Sequence, residues 1–290
     1  MATHTVNQHT TYNGSSLPYE GIDSFTERLS VDRSALESGD RRTPQYTTFR
    51  NVSPEEFEQK IAPKTTSASA FARFRYNTIT KDLITKVPGE GHGILNFTFQ
   101  MLVLTRFMEM GISVGDFTCM ASPMARLGPW LRQPDSCWAP PGHHEPLSVV
   151  LELGVTGAEP GLLADVHEWL ETPGSPVSMV ITICISSLSR RTMTIETWVA
   201  THNNRDDNSK VTSSAVRSSI ITIQNKTLTG VATNPQSGAT QPCDELRIPF
   251  ETILRRTPEG QERDVVLDKD ELLKLADTIW RAIMWAKKPQ

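Results

Sequence analysis

Two acids in the sequence stand where chemistry could be done. Asp135 follows Pro134, and Glu152 lies inside an otherwise apolar run at 147–155 (LSVVLELGV). A lone carboxylate in a run that must be buried is costly unless it meets a metal or a basic partner. The two acids are 17 residues apart, enough for them to sit on adjacent strands with a turn between. Carboxylates that converge in this way form a hard-oxygen pocket for Mg²⁺ or Mn²⁺, ions that need only one or two acids. Such an ion polarises a phosphate, lowers the pKa of its bound water and balances charge on a leaving oxygen. Plainer roles are open for both residues. Asp135 can be a turn residue capping local backbone, and Glu152 a strand-edge acid that faces solvent or pairs with an arginine.

Other polar clusters offer less. His143-His144-Glu145 sits among prolines, which suits a solvated turn. His167-Glu168 lacks the second histidine four residues on that a zinc-protease helix uses. Asp165 is expected to face the sheet edge or solvent from its helix, and His92 to be a helix-start residue. Trp130, Trp138 and Trp169 could stack on nucleic-acid bases only if exposed, and core packing suits Trp169 better. Cys119 and Cys184 lie in apolar text, as buried small hydrophobes do. The four cysteines show no CxxC spacing, which argues against a disulfide framework or zinc knuckle. No phosphate-binding glycine loop and no Gly-x-Ser-x-Gly elbow occurs.

The elements that must carry these residues follow from apolar spacing. Residues 1–45 are rich in Ser, Thr, Gly and Asn, so a disordered leader is expected, with a nascent helix around 25–36. Ser53-Pro54-Glu55-Glu56 has the residues of a helix N-terminus. Runs at 71–76 and 83–87 suit a hairpin. Residues 93–110 are apolar nearly all round and predict a buried helix closed by Gly111. Strands are expected at 112–120, 147–155, 177–186 and 192–199, the last two as a hairpin, with a helix at 162–170. Weaker strands follow at 219–224, 228–231 and 246–248, with an exposed loop at 202–217. An amphipathic helix beginning at Asp268 closes the chain.

The 290 residues carry 29 Lys and Arg against 33 Asp and Glu, a net charge of −4. That balance excludes a polybasic module as the bulk character of the protein. The absence of a signal sequence or an apolar run long enough to span a bilayer gives an intracellular expectation, cytoplasm or nucleus.

Five segments, taken in order, resemble one known family. They are Val87-Pro88 with His92-Gly93; Arg132-Gln133-Pro134-Asp135-Ser136-Cys137-Trp138-Ala139-Pro140; Val150-Leu151-Glu152-Leu153-Gly154; and the helix text Leu162-Leu163-Ala164-Asp165-Val166-His167-Glu168-Trp169-Leu170. On this helix–strand–strand–strand–helix–strand order they resemble the PD-(D/E)XK, restriction-endonuclease-like superfamily, and more narrowly its uncharacterised fungal members, over roughly 71–199. The resemblance implies an α/β fold with a central mixed sheet flanked by helices. It places one nuclease-like domain at 46–290, with its core at about 71–200 and a C-terminal extension at 219–288. It also implies Asp135 and Glu152 as catalytic and metal-holding residues, Mg²⁺ or Mn²⁺ as cofactor, and nucleic acid as partner and substrate.

The departures are as specific as the matches. Active members place a lysine two residues after the second acid, where this chain has Gly154, and no lysine lies between Lys86 and Lys210. A lysine relocated within the core is therefore excluded, and an always-protonated arginine cannot serve as a base. Gly93 and Gln133 stand where the pattern has acids. Two functions follow as expectations: a metal-dependent nuclease with a thinned active site, or a catalytically inactive descendant serving as a binding or interaction module. A structural role with self-association through the sheet edge, for instance as a homodimer, is a third.

Overall fold

The computed structural model describes residues 15–40, 42–89, 91–142, 146–155, 157–187, 190–203 and 212–286. The chain opens with β1 (Ser15–Pro18), α1 (Ile22–Glu37), β2 (Tyr46–Arg50) and α2 (Pro54–Glu56), which runs into a π-type turn at Phe57–Ile61. There follow α3 (Ser67–Phe71), β3 (Arg73–Asn77), β4 (Leu83–Lys86) and the long α4 (His92–Glu109). Four short strands come next: β5 (Thr118–Met120), β6 (Ala125–Leu127), β7 (Trp130–Arg132) and β8 (Ser136–Ala139). A parallel unit then forms from β9 (Val149–Val155), the crossover helix α5 (Glu159–Glu171) and β10 (Met179–Ser187). The remainder is β11 (Thr192–Asn203), β12 (Thr212–Gln224), β13 (Thr227–Thr233), β14 (Thr240–Pro242), β15 (Leu246–Ile248), α6 (Phe250–Leu254), β16 (Val265–Leu267) and α7 (Lys269–Ala286).

The expected α/β class with mixed sheets flanked by helices is what the chain adopts. Apart from the separate β15–β16 pair, the strands are divided, however, between two large sheets rather than gathered in one. The first has the order β1-β2-β4-β3-β7-β6 and the second β14-β13-β12-β11-β10-β9-β8-β5. Each contains one parallel pair, β1 with β2 and β9 with β10, among antiparallel neighbours. After α4 the chain enters the second sheet with β5, goes back to the first for β6 and β7, and crosses to the second again at Gln133-Pro134-Asp135.

Period-two alternation decides what each face of the second sheet holds. Val149, Leu151 and Leu153 of β9, Ile181, Ile183 and Ile185 of β10, and Ile195, Ile221 and Ile223 further along all enter one apolar core. Leu95, Phe99, Val103 and Phe107 of α4 and Leu272, Leu275 and Ile279 of α7 cover it. The opposite face carries Val150 and Val180 against Val166, Trp169 and Leu170 of α5. Glu152 belongs to this second face by its even spacing from Val150.

Several expectations need correction. The leader does not stay unstructured to residue 45: β1 pairs with β2, and α1 buries Phe25, Leu29 and Leu36 against Phe49 and Phe74. Those three side chains fall on one helical stripe, and Asp32 on the same stripe is bound by Arg28 at 2.9 Å, so little apolar content suffices to dock the helix. Residues 1–14 lie outside the described residues. The strand expected at 112–120 is reduced to β5, because Ser113 donates from its backbone N–H and hydroxyl to Asp116 and turns the chain after Gly111. The loop expected at 202–217 begins inside β11 and ends inside β12, which pair along their whole length; residues 204–211 are outside the described set, as are His143, His144 and Glu145. Cys119 is exposed rather than buried.

Candidate functional site

Sheet register in the first sheet builds a basic face. Tyr46 of β2 stands opposite Lys86 of β4, and Lys86 opposite Arg73 of β3. One step along, Ile84 stands opposite Arg75, and Arg75 opposite Arg132 of β7. Directly opposed residues share a face, so one phenol and four cations project together, while Phe74, Tyr76 and Leu83 point the other way into the α1 core.

That basic face meets the acids of the second sheet and α5. Lys86 Nζ donates to Asp135 Oδ2 and to Glu152 Oε2, 2.6 Å in each case. Asp135 Oδ2 also accepts from the Leu153 backbone N–H at 2.8 Å, and its Oδ1 lies 2.9 Å from His92 Nε2 and 3.3 Å from Arg73 Nε. Glu152 Oε1 accepts from the Trp169 indole N–H at 2.8 Å. Asp165 accepts from Tyr46 at 2.7 Å, from Arg75 at 2.6 Å and from Arg132 at 3.3 Å. Arg75 and Arg132 both also reach Glu168. Asn96 of α4 donates to the Asp135 carbonyl at 3.1 Å, and Gln133 accepts from the Phe74 N–H, so the neighbours fix the crossover as well as its carboxylate.

The two acids singled out by the sequence therefore converge on one point, and the point is occupied by an ammonium group. Asp165, expected at the sheet edge or in solvent, is buried within the same network. His92 touches Asp135, beyond its expected helix-start role. Trp138 and Trp169 are fully buried and unavailable for base stacking. The exclusion of a relocated lysine is overturned, because Lys86 arrives from β4, ahead of both acids in the chain. Gly154, where the family pattern has its lysine, faces α5 so closely that an added Cβ would lie 2.5 Å from Leu162 Cδ1 and 3.0 Å from Ala158 Cβ. A side chain there requires Leu162 to give way.

Burial and mutual charge set the protonation of the cluster. Asp135 and Glu152 are 0% and 2% exposed. Burial alone would raise the Asp135 carboxyl, but His92, Lys86 and Arg73 together hold it well below the usual carboxylate range. Glu152 is pushed up to about 7 by burial, and by the charges of Asp165 and Asp135 against the pull of Lys86. Lys86 loses by burial and gains more from Asp135 and Glu152, so it stays charged. Burial, then the Asp165 charge, places the Tyr46 phenol well above its ordinary range.

The donor set does not fit a resident divalent ion. Each carboxylate oxygen of Asp135 and Glu152 already has a donor, and Lys86 Nζ takes the position the two share. Four cations (Arg73, Arg75, Lys86, Arg132) face four acids (Asp135, Glu152, Asp165, Glu168), so the cluster holds no surplus of negative charge for an ion to balance. The adjoining cavity, lined by Tyr46, Arg73, Arg75, Lys86 and Glu152, measures about 10 Å³, roughly the space of one water. Among the described residues no group of three or more His, Cys, Asp or Glu side chains is placed to hold a metal, and no helix is long and apolar enough to cross a membrane.

No protein-family model matches the chain, and no curated protein matches it. Among solved structures it is similar to a "putative nuclease belonging to DUF820" from Anabaena variabilis ATCC 29413, at 7% identity and a TM-score of 0.36, over 70% of this chain and 90% of that one. A likeness this loose assigns no residue a role.

Proposed function

We propose that the chain is a nuclease-type α/β protein whose acid pair is closed by its own lysine, and that it serves as a binding or interaction module rather than as a metal-dependent phosphodiesterase. The observation that carries this is the position of Lys86 Nζ, 2.6 Å from both Asp135 and Glu152. A phosphodiester attacked by a metal-bound water needs open coordination sites and a path for the substrate. Asp135 and Glu152 offer neither while the ammonium sits between them and both are buried.

A hydrolytic role has one observation in its favour. An aspartate, a glutamate and a lysine meet at one place, as the catalytic set of the resembled family does, with a small polar cavity alongside. Incubating the protein with plasmid, single-stranded DNA and RNA in Mg²⁺ or Mn²⁺ separates the two. The closed-pair account expects no cleavage above that of an Asp135→Ala control. Cleavage that disappears in each of Asp135→Ala, Glu152→Ala and Lys86→Ala would establish hydrolysis instead.

A further inference from the structure

Helix α4 has two apolar sides, and among the described residues one is packed into the core while the other stays largely exposed. Leu95, Phe99, Val103 and Phe107 enter the core of the second sheet. On the outside Ile94 is 44% exposed, Phe97 67%, Met101 41% and Met108 62%. With the partly buried Leu104 between the last two, these residues recur at intervals of three and four over two heptads. That spacing is the seam of a helix built to lie along another helix. Its flanks, Gly93, Thr98, Gln100 and Thr105, carry no charge, and the helix holds its charged residues, Arg106 and Glu109, in the last turn.

We propose that this seam pairs with the same seam of a second copy of the chain, antiparallel, about a two-fold axis at Met101. Met101 lies midway between Ile94 and Met108, so the axis sets Ile94 against the partner's Met108. An isologous contact requires a surface that tolerates its own image, and an uncharged flank meets its copy without like-charge repulsion. The stretches outside the described residues do not suit the seam. Residues 1–14 offer Met1, Val6 and Tyr12 as their large apolar side chains, 188–189 Leu188 alone, 204–211 only Val211, and the remaining undescribed positions none.

Area sets the strength of the contact. The four exposed side chains present on the order of 400 Å² of apolar surface, the size of the largest patch on a typical monomer, which is often functional. A stable dimer buries about 800 Å² per partner. The α4 seam therefore gives a dimer that forms and dissociates with concentration, and it does so whatever the chemistry of the carboxylate cluster.

Sedimentation of the full chain over a hundredfold range of concentration tests this. The weight-average mass is expected to rise from one copy toward two. Phe97→Glu and Met101→Glu each hold it at one copy with an unchanged melting curve, because both side chains are already exposed. Mixing Met101→Glu with Met101→Lys protein is expected to restore the dimer, since the two charges then face each other across the axis. A mass of one copy at all concentrations, or a dimer that both substitutions leave intact, would overturn the proposal.

Discussion

The two faces of strand β9 are packed on opposite principles. Val149, Leu151 and Leu153 enter a core of hydrocarbon closed by α4 and α7. On the other face Glu152 joins a set of four acids and four cations between the two sheets. The first face is held by contact area, which is non-directional and forgives small changes of shape. The second is held by matched donors and acceptors, in which a single lost charge leaves its partners buried and unpaired. Shape-conserving substitutions should accordingly be mild on the first face and severe on the second.

The largest effect is expected at the shared acid. Asp135→Asn keeps the outline of the side chain but leaves Lys86, Arg73 and His92 without their anion, and should cost about 3–5 kcal/mol. Ile181→Val, on the hydrocarbon face, deletes a methylene from a side chain that is fully buried and should cost about 1 kcal/mol. Urea unfolding of both variants, compared at equal m-value, checks the contrast; equal losses would mean that the charged face is no more exacting than the apolar one.

A smaller effect follows from the raised carboxyl of Glu152. A folded value of about 7 against an ordinary 4.5 means that the native protein holds a proton the unfolded chain has released. Glu152 thus contributes stability that is fully present below about pH 4.5 and lost as pH rises through about 7. Asp135 works in the opposite direction. Its depressed value contributes stability above the ordinary 3.8, lost as pH falls toward the folded value. Melting temperatures between pH 5 and 8 should fall with pH in the natural protein and fall less in Glu152→Gln. Parallel slopes would remove Glu152 as the titrating group.

Elements written in local periodicity were legible in the sequence: α4, α5, α7 and strands β9, β10 and β11 lie within a few residues of their expected places. The two candidate acids do converge, and the isolated acid in an apolar run is the signal that marks Glu152. What local spacing does not encode is register between distant strands. Lys86 reaches the acids only because β4 lies between β2 and β3 with Tyr46, Lys86 and Arg73 in one row. One clue was available in β3, where Arg73 and Arg75 alternate with Phe74 and Tyr76. A strand whose aromatic side is buried in a sheet covered on both faces presents its arginines to an interior that must supply acids. The docking of α1 was hidden differently, since only three of its apolar residues are buried and the polar segment around them dilutes any compositional signal.

Calorimetric titration of Mn²⁺ bears most directly on the lysine-closed acid pair. The natural protein should show no saturable uptake, whereas Lys86→Met, which keeps the length of the side chain but withdraws its charge, should bind the ion and regain thermal stability on doing so. Saturable binding by the natural protein that vanishes in Asp135→Ala would contradict the account.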